Sequence, residues 1–304
     1  MGDKTSPLGR VEQDHARPLP VRRTTLDADA DVAARATRLE RTIHWLLRLG
    51  VAGCFIGHGA YGFITKEDWV PYFGFVGIGR GTAYELMPLI GTMDVGFGVL
   101  TLLLPLRICF LHLTLWSIWT GALRPLTGEP FFELIERGGN YGPPFAMLLL
   151  AGGSRTISGW FKPVTARPLT DAIRRRLDIA LRVTLFLLLF GHGWLAAVDH
   201  DAKQVWIHQH ATAGLSELRV LGLDSLQLSG WLEMAMGLFV LIRPSRGFLL
   251  VVFGYKVATE LLWPIDGHLW FEFIERAGDY FAPLALFVLR SHEAWLLHRE
   301  RPAT

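Results

Sequence analysis

The chain has 304 residues, 51% hydrophobic and 19% charged, with mean hydropathy +0.30 and a formal net charge of +2. Soluble domains carry ~45–50% apolar and ~25% charged residues, so the composition argues against a soluble single-domain enzyme. The near-neutral charge gives no reason to expect a nucleic-acid partner.

Residues 1–42 are polar, with Pro7, Pro18 and Pro20 among mixed charges. They read as a disordered cytoplasmic tail and not as a signal peptide, because the first apolar block opens only near Ile43. Apolar blocks then recur at 43–64, 86–104, 107–123 and 130–151. A basic stretch at 153–176 follows, then blocks at 177–198, 226–242, 247–263 and 269–290, and a tail from 291. A span needs ~20 residues, which several blocks reach and 107–123 barely does. Eleven tryptophans and nineteen phenylalanines suit aromatic belts at a bilayer interface. Cys54 and Cys109 both sit in apolar runs, and no C-x-x-C or C-x-x-C-H occurs, which disfavours a redox dithiol or covalently attached haem.

Two stretches repeat. PFFELIERGGNYGPP at 130–144 and LWFEFIERAGDYFAP at 269–283 share eight of fifteen positions at an offset of 139. The same offset pairs Asp94 with Glu233, Pro105 with Pro244 and Arg107 with Arg246, while Gly57-His58-Gly59 matches Gly191-His192-Gly193 at 134. Chance likeness between apolar helices would share Leu and Phe, not F-E-x-I-E-R-x-G-x-Y-x-x-P. The expectation is therefore an all-α polytopic membrane protein with eight transmembrane helices. These form two parallel four-helix repeats, 43–152 and 177–290, related by an axis along the membrane normal. Basic residues cluster before the first block, after the second, in the 153–176 linker, after the sixth and at the end. This places both termini in the cytoplasm.

Within this layout the polar residues fall in one leaflet, toward the outer face. Copy one contributes His58, Asp94, Glu133, Glu136 and Arg137. Copy two contributes His192, Glu233, Glu272, Glu275 and Arg276, and adds Lys256 and Glu260 where copy one is read as having Ser117 and Thr120. Glu133–Arg137 and Glu272–Arg276 stand at i, i+4 and are expected to pair, since an unpaired charge costs ~2.5–3.5 kcal/mol on insertion scales. Such pairs can simply lock a bundle. An extra intramembrane cation and acid are harder to explain by packing, so the working pocket is expected in copy two. Gly-flanked histidines permit close helix approach, and His200, His208 and His210 read as loop residues; no metal site is assigned.

The motifs Phe55-Ile56-Gly57-His58-Gly59, Phe190-Gly191-His192-Gly193-Trp194, Tyr72-Phe73-Gly74-Phe75-Val76-Gly77-Ile78 and Asp94-Val95-Gly96-Phe97-Gly98 resemble the DoxX-like family of four-helix bacterial membrane proteins. That family includes the DoxD-type subunit of thiosulfate:quinone oxidoreductase. The family unit is usually single and here occurs twice; Gly62 and Ala196 stand where many members carry a lysine. The resemblance implies the bacterial inner membrane and a redox-associated, quinone-linked subunit. The bilayer, a redox partner protein and a second copy of the chain would be its partners, with quinone ahead of haem as the cofactor. The alternatives are a small-molecule or proton-coupled transporter, against which the absence of a visible helix break speaks, and a non-catalytic membrane scaffold.

Overall fold

The computed structural model describes residues 25–211 and 219–299 and is almost entirely helical there. Residues 36–304 form one unit that contains both copies; residues 1–35 form another, of which the described part is helical. Helix α1 (Thr25–Phe63) starts well before the apolar block. Residues 25–42, read from the sequence as part of a disordered tail, lie within this helix, and Glu40 is buried, accepting a hydrogen bond from the Leu169 amide at 2.7 Å. The first 24 residues lie outside the described ones.

Copy one continues through a short turn into α2 (Val70–Phe75), α3 (Arg80–Leu103), α4 (Arg107–Leu126), α5 (Phe132–Glu136) and α6 (Gly138–Ala151). The linker is not featureless: it holds α7 (Ile157–Trp160), capped by the Thr156 hydroxyl. Copy two comprises α8 (Asp171–Trp194), which runs on through a π turn to Asp199, and α9 (Ala202–Ala211). A two-residue hairpin follows, β1 (Arg219–Val220) and β2 (Leu223–Asp224), then α10 (Ser225–Ile242) and α11 (Arg246–Glu260). The last elements are α12 (Leu262–Ile265), α13 (Trp270–Glu275) and α14 (Ala277–Arg299). The starts of copy two's helices are chemically marked. Thr170 and Ser245 accept from the third amide of α8 and α11, and Asp224 with Gln227 forms a reciprocal capping box on α10.

Among the described residues four helices are long and apolar enough to cross a membrane: Arg80–Leu103, Asp171–Asp199, Ser225–Ile242 and Arg246–Ile265. This is half the number expected from the sequence. The difference has a physical origin in the fourth block of each copy, read as one helix in the sequence and broken in the structure. The break falls at Arg137 and at Arg276, which have ψ near 15° and each end one helix while capping the next. The next amides bond at i+3, Asn140 to the Arg137 carbonyl and Asp279 to the Arg276 carbonyl, both at 2.9 Å. The broken-off pieces are too short, and α6 keeps only 14 residues. Helices α1 and α4 are diluted by Arg48, His58, Arg107 and His112.

The copies are interlocked rather than side by side. A Cβ on Gly57 of α1 would run into the Glu275 backbone of α13, and a Cβ on Gly191 of α8 would run into the Glu136 backbone of α5. The first helix of each copy therefore packs on the broken helix of the other. These reciprocal contacts define a pseudo-two-fold axis, and Gly139 and Gly278, equivalent residues at the offset of 139, meet on it: a Cβ on Gly278 would collide with the Gly139 carbonyl. Gly59 and Gly193 instead face the second helix of their own copy, at Gly91 and Gly230. The core beneath the axis is apolar, with Leu47, Phe110, Met147, Leu181, Leu185, Val252 and Leu286 buried.

Candidate functional site

The G-H-G motif places its histidine between two helix contacts. With Gly57 against the other copy and Gly59 against α3, His58 turns to Asp94, Nδ1 to Oδ2 at 2.7 Å; His192 does the same with Glu233, Nδ1 to Oε2 at 2.7 Å. Both carboxylates are buried, and both histidines remain partly exposed. An imidazole that donates from Nδ1 to a carboxylate keeps Nε2 for a ligand, and the carboxylate steadies the imidazolium if that nitrogen takes a proton.

The F-E-x-I-E-R-x-G-x-Y motif builds the other wall. Its tyrosine ties the helix break together: the Tyr280 hydroxyl donates to the Phe273 carbonyl at 2.7 Å, and Tyr141 reaches the Leu134 and Ile135 carbonyls at 3.4 Å. Phe132 stacks on Trp194 of copy two with ring centroids 4.5 Å apart. The charged members differ between copies. Arg276 is clamped, by Glu272 at 2.6 Å and Glu260 at 2.8 Å. Arg137 donates no hydrogen bond among the described residues. Its nearest carboxylate oxygens, on Glu133, Glu136 and Glu275, are 3.8–3.9 Å away. The Glu133–Arg137 pairing expected from spacing is thus loose, and Glu133 is held closer by Arg124, at 3.1 Å.

Lys256 and Glu260 are fully buried and paired at 2.6 Å, and Lys256 also stands 4.0 Å from Glu233. They extend the copy-two pair into a chain: His192, Glu233, Lys256, Glu260, Arg276 and Glu272, with Lys66 of copy one 3.8 Å beyond. At the constant offset of 139 the counterpart of Glu260 is Gly121, not Thr120; Ser117 does match Lys256.

These walls enclose a cavity of about 630 Å³ between the two copies. It is lined by His58, His192, Glu133, Glu136, Arg137, Glu272, Glu275 and Arg276, together with Lys66, Arg124, Trp263 and residues of the α9 segment. Asp94, Glu233, Lys256 and Glu260 stand behind the wall. A second cavity, of about 210 Å³, opens beside it in copy one. His208 and His210, expected in a loop, lie in helix α9; His208 Nε2 is 2.5 Å from the Ser225 hydroxyl. Among the described residues no three His, Cys, Asp or Glu side chains group so as to hold a metal ion. Cys54 and Cys109 are buried free thiols.

Two wall carboxylates outside the four apolar helices have shifted acidities. Burial and the neighbouring Glu133 push Glu136 up to about 7. For Glu272 burial acts upward, but Arg276 and Lys66 outweigh it and hold the group down at about 2. One wall thus carries a carboxyl able to exchange protons near neutrality and another fixed as an anion.

Sequence reasoning missed Arg48 and Arg182, which stand at the end of the bundle away from the cavity. Arg48 donates to the Thr101 carbonyl at 2.9 Å and to the Leu102 carbonyl; Arg182 donates to the Leu241 carbonyl and to that of Ile242 at 3.1 Å. Each satisfies the open carbonyls at the end of the second helix of its copy. They are spaced by 134, the offset of the G-H-G motif, so the repeat itself marks them. No family model, curated protein or solved structure matches the chain, and the site is read from its own chemistry.

Proposed function

We propose that the chain is a DoxX-like protein of the bacterial inner membrane that holds a quinone-type ligand at its outer face, as a redox-associated membrane subunit. The observation carrying this reading is the twin His–carboxylate pair, 2.7 Å in both copies, with each histidine on the wall of the shared cavity. Reduction or oxidation of a quinone moves protons as well as electrons, and a histidine backed by a buried carboxylate can donate to or accept from a ligand oxygen. In this reading α1, α4, α14 and the broken α5–α6 segment, whose 14-residue α6 is completed by α5, cross the bilayer alongside the four apolar helices, giving eight crossings with both termini cytoplasmic. The short α5 and α13 then lie at the outer face. The apolar core shared by α1, α4, α6, α8 and α14 supports that arrangement.

The test is an optical spectrum and lipid-extract mass spectrometry of the purified chain, followed by Asp94→Asn and Glu233→Gln in a quinone-linked respiratory assay. Co-purified quinone and loss of activity at normal protein level are expected. A Soret band without quinone would overturn the reading. Reporter fusions after residues 165 and 210 should show opposite sidedness; the same sidedness would remove the eight-crossing arrangement.

A transporter is favoured by one finding that the sequence did not offer, the two broken helices meeting on the pseudo-two-fold axis at Gly139 and Gly278. Discontinuous helices at a repeat interface are a common way to build a substrate site in carriers. Solute uptake by proteoliposomes that depends on a pH gradient, with no bound quinone, would select it.

A further inference from the structure

The two copies present their arginines differently, and the difference sits beside the smaller cavity. In copy two Glu260 holds Arg276. In copy one the equivalent of Glu260 is Gly121, which offers Arg137 no carboxylate; a Cβ there would stand 3.6 Å from the Arg137 side chain and 3.1 Å from Leu134. Arg137 consequently donates no hydrogen bond among the described residues, and its Nε is buried without a partner. It lines both the shared cavity and the 210 Å³ one.

The smaller cavity combines idle donors with a flat apolar wall. Its lining includes Arg137, Asn140, Trp69, Trp116 and Trp119, and Arg124, whose charge is already met by Glu129 at 2.8 Å and Glu133 at 3.1 Å; no carboxylate lines it among the described residues. The Trp116 indole N–H and the Arg137 Nε–H are buried with no acceptor among the described residues, and Asn140 lines the cavity beside them. Unused buried donors are costly, and a ligand acceptor would satisfy them. The charge of that acceptor is constrained as well. Glu133, Glu136 and Glu275 already stand 3.8–3.9 Å from Arg137. An anionic head would be repelled by them, whereas a neutral carbonyl oxygen needs only the donors. The cavity is small for a ligand site and matches a single ring.

We propose that the copy-one cavity is the ligand's binding site, and that it takes a neutral, single-ring, carbonyl-bearing molecule. Arg137 and Asn140 donate to the carbonyl oxygen, and the ring lies against Trp116 and Trp119. Copy two is closed to such a ligand because Glu272 and Glu260 together hold Arg276, at Nη1 and Nε. This rests on the reading that the outer face holds a polar-headed, apolar-bodied molecule, and assigns that molecule to one copy.

The experiment uses the full chain in lipid nanodiscs, titrated with duroquinone and followed by tryptophan fluorescence, which a quinone in contact with an indole quenches. Saturable quenching is expected. Trp69, Trp116 and Trp119 all line the cavity; the Trp69→Phe/Trp116→Phe/Trp119→Phe variant should lose most of the quenching, while Trp231→Phe, in α10 of copy two, keeps it. Arg137→Gln should weaken binding tenfold or more, as should Ser117→Lys/Gly121→Glu, which gives copy one the pair that closes copy two. Should that transplant fold poorly, Arg137→Gln and the tryptophan variants decide alone. 2,3,5,6-Tetramethylbenzoate, a six-membered ring with the same four methyl groups and an anionic head, should compete with duroquinone for the site at least tenfold more weakly. Quenching that survives the tryptophan and Arg137 substitutions would place the ligand elsewhere and overturn the assignment while leaving a quinone-binding protein. Tighter binding of the benzoate would overturn the neutral head. No saturable quenching by the wild-type chain would remove both the assignment and the reading beneath it.

Discussion

Copy one and copy two share a helix break, a motif tyrosine that secures it and a His–carboxylate pair, yet they treat the arginine at the break in opposite ways. Copy two encloses Arg276 in a chain of ion pairs, 2.6–2.8 Å apart except for Lys256–Glu233 at 4.0 Å, that runs back to His192. Copy one leaves Arg137 without a hydrogen bond among the described residues, beside an aromatic cavity. What the copies keep in common lies on or near the pseudo-two-fold axis, where one residue of each copy must fit its own equivalent: Gly139 against Gly278, and Gly57 and Gly191 against the opposite broken helix. What they vary, Ser117 against Lys256 and Gly121 against Glu260, answers to no such symmetry. Duplication constrains the seam and releases the pockets.

The largest expected effect tests the closed copy. Lys256→Met removes the cation between Glu233 and Glu260, leaving buried carboxylates that should cost about 3–5 kcal/mol in thermal unfolding. The double change Lys256→Met/Glu260→Met should recover most of that loss, because an apolar pair of similar volume is often no less stable than a buried ion pair. Ser117→Ala, at the matching place, should cost under about 1 kcal/mol. Equal losses at both places would show that the copies are alike after all. Next come the arginines. From spacing alone, Arg137→Ala and Arg276→Ala should behave alike. The distances predict a split, with about 3 kcal/mol lost at Arg276, whose partners are at 2.6–2.8 Å, and about 1 kcal/mol at Arg137, whose partners are at 3.8–3.9 Å. Melting curves of the two variants in one detergent settle it.

The seam should respond symmetrically. Gly57→Ala and Gly191→Ala each press a methyl into a backbone of the other copy and should cost about 1–3 kcal/mol each, within error of one another. Gly96→Ala and Gly254→Ala, whose Cβ positions meet nothing within 4 Å, should be neutral or slightly stabilising in helix interiors. A large difference between Gly57→Ala and Gly191→Ala would break the pseudo-two-fold arrangement.

Much of this was legible before the fold, because repetition exposes constraint: the F-E-x-I-E-R-x-G-x-Y motif, the G-H-G motif and the matched acids Asp94 and Glu233 were all visible as pairs. The helix breaks were not, since nothing in the motif forbids a continuous helix. Glycines at 138 and 139 lower helix propensity, but the break is set by the axis contact, which one strand of sequence does not display. Interlocking was hidden for the same reason: Gly57 reads as a small residue for close packing, without naming the helix it meets. The Gly121 counterpart of Glu260 was missed by one position although the constant offset specifies it. Arg48 and Arg182 were legible from their spacing and were overlooked because each looked like an ordinary basic residue at a helix end.

The smallest effect is a pH dependence, and it contrasts one carboxyl from each copy. Folded Glu136 titrates near 7 against an ordinary value of 4.5, so the folded chain keeps its proton where the unfolded chain has lost it. Its contribution to stability therefore falls as pH rises from about 4.5 to about 7 and is level above that. Glu136→Gln, which cannot ionise, should make the chain more stable than wild type at pH 8, by about 1–2 kcal/mol because the side chain still meets cavity water. The advantage should vanish near pH 4.5. Glu272 is held at about 2 and has the opposite sign: it stabilises the fold above 4.5, and that contribution is lost as pH falls toward 2. Glu272→Gln should therefore be less stable than wild type at pH 7 and converge with it near pH 2. Melting temperatures of both variants between pH 3 and pH 8, measured against wild type in the same detergent, read the two slopes. Parallel slopes would mean that both carboxyls face bulk water. Opposed slopes would tie the proton-exchanging carboxyl to copy one, next to the unclamped arginine, and the fixed anion to copy two.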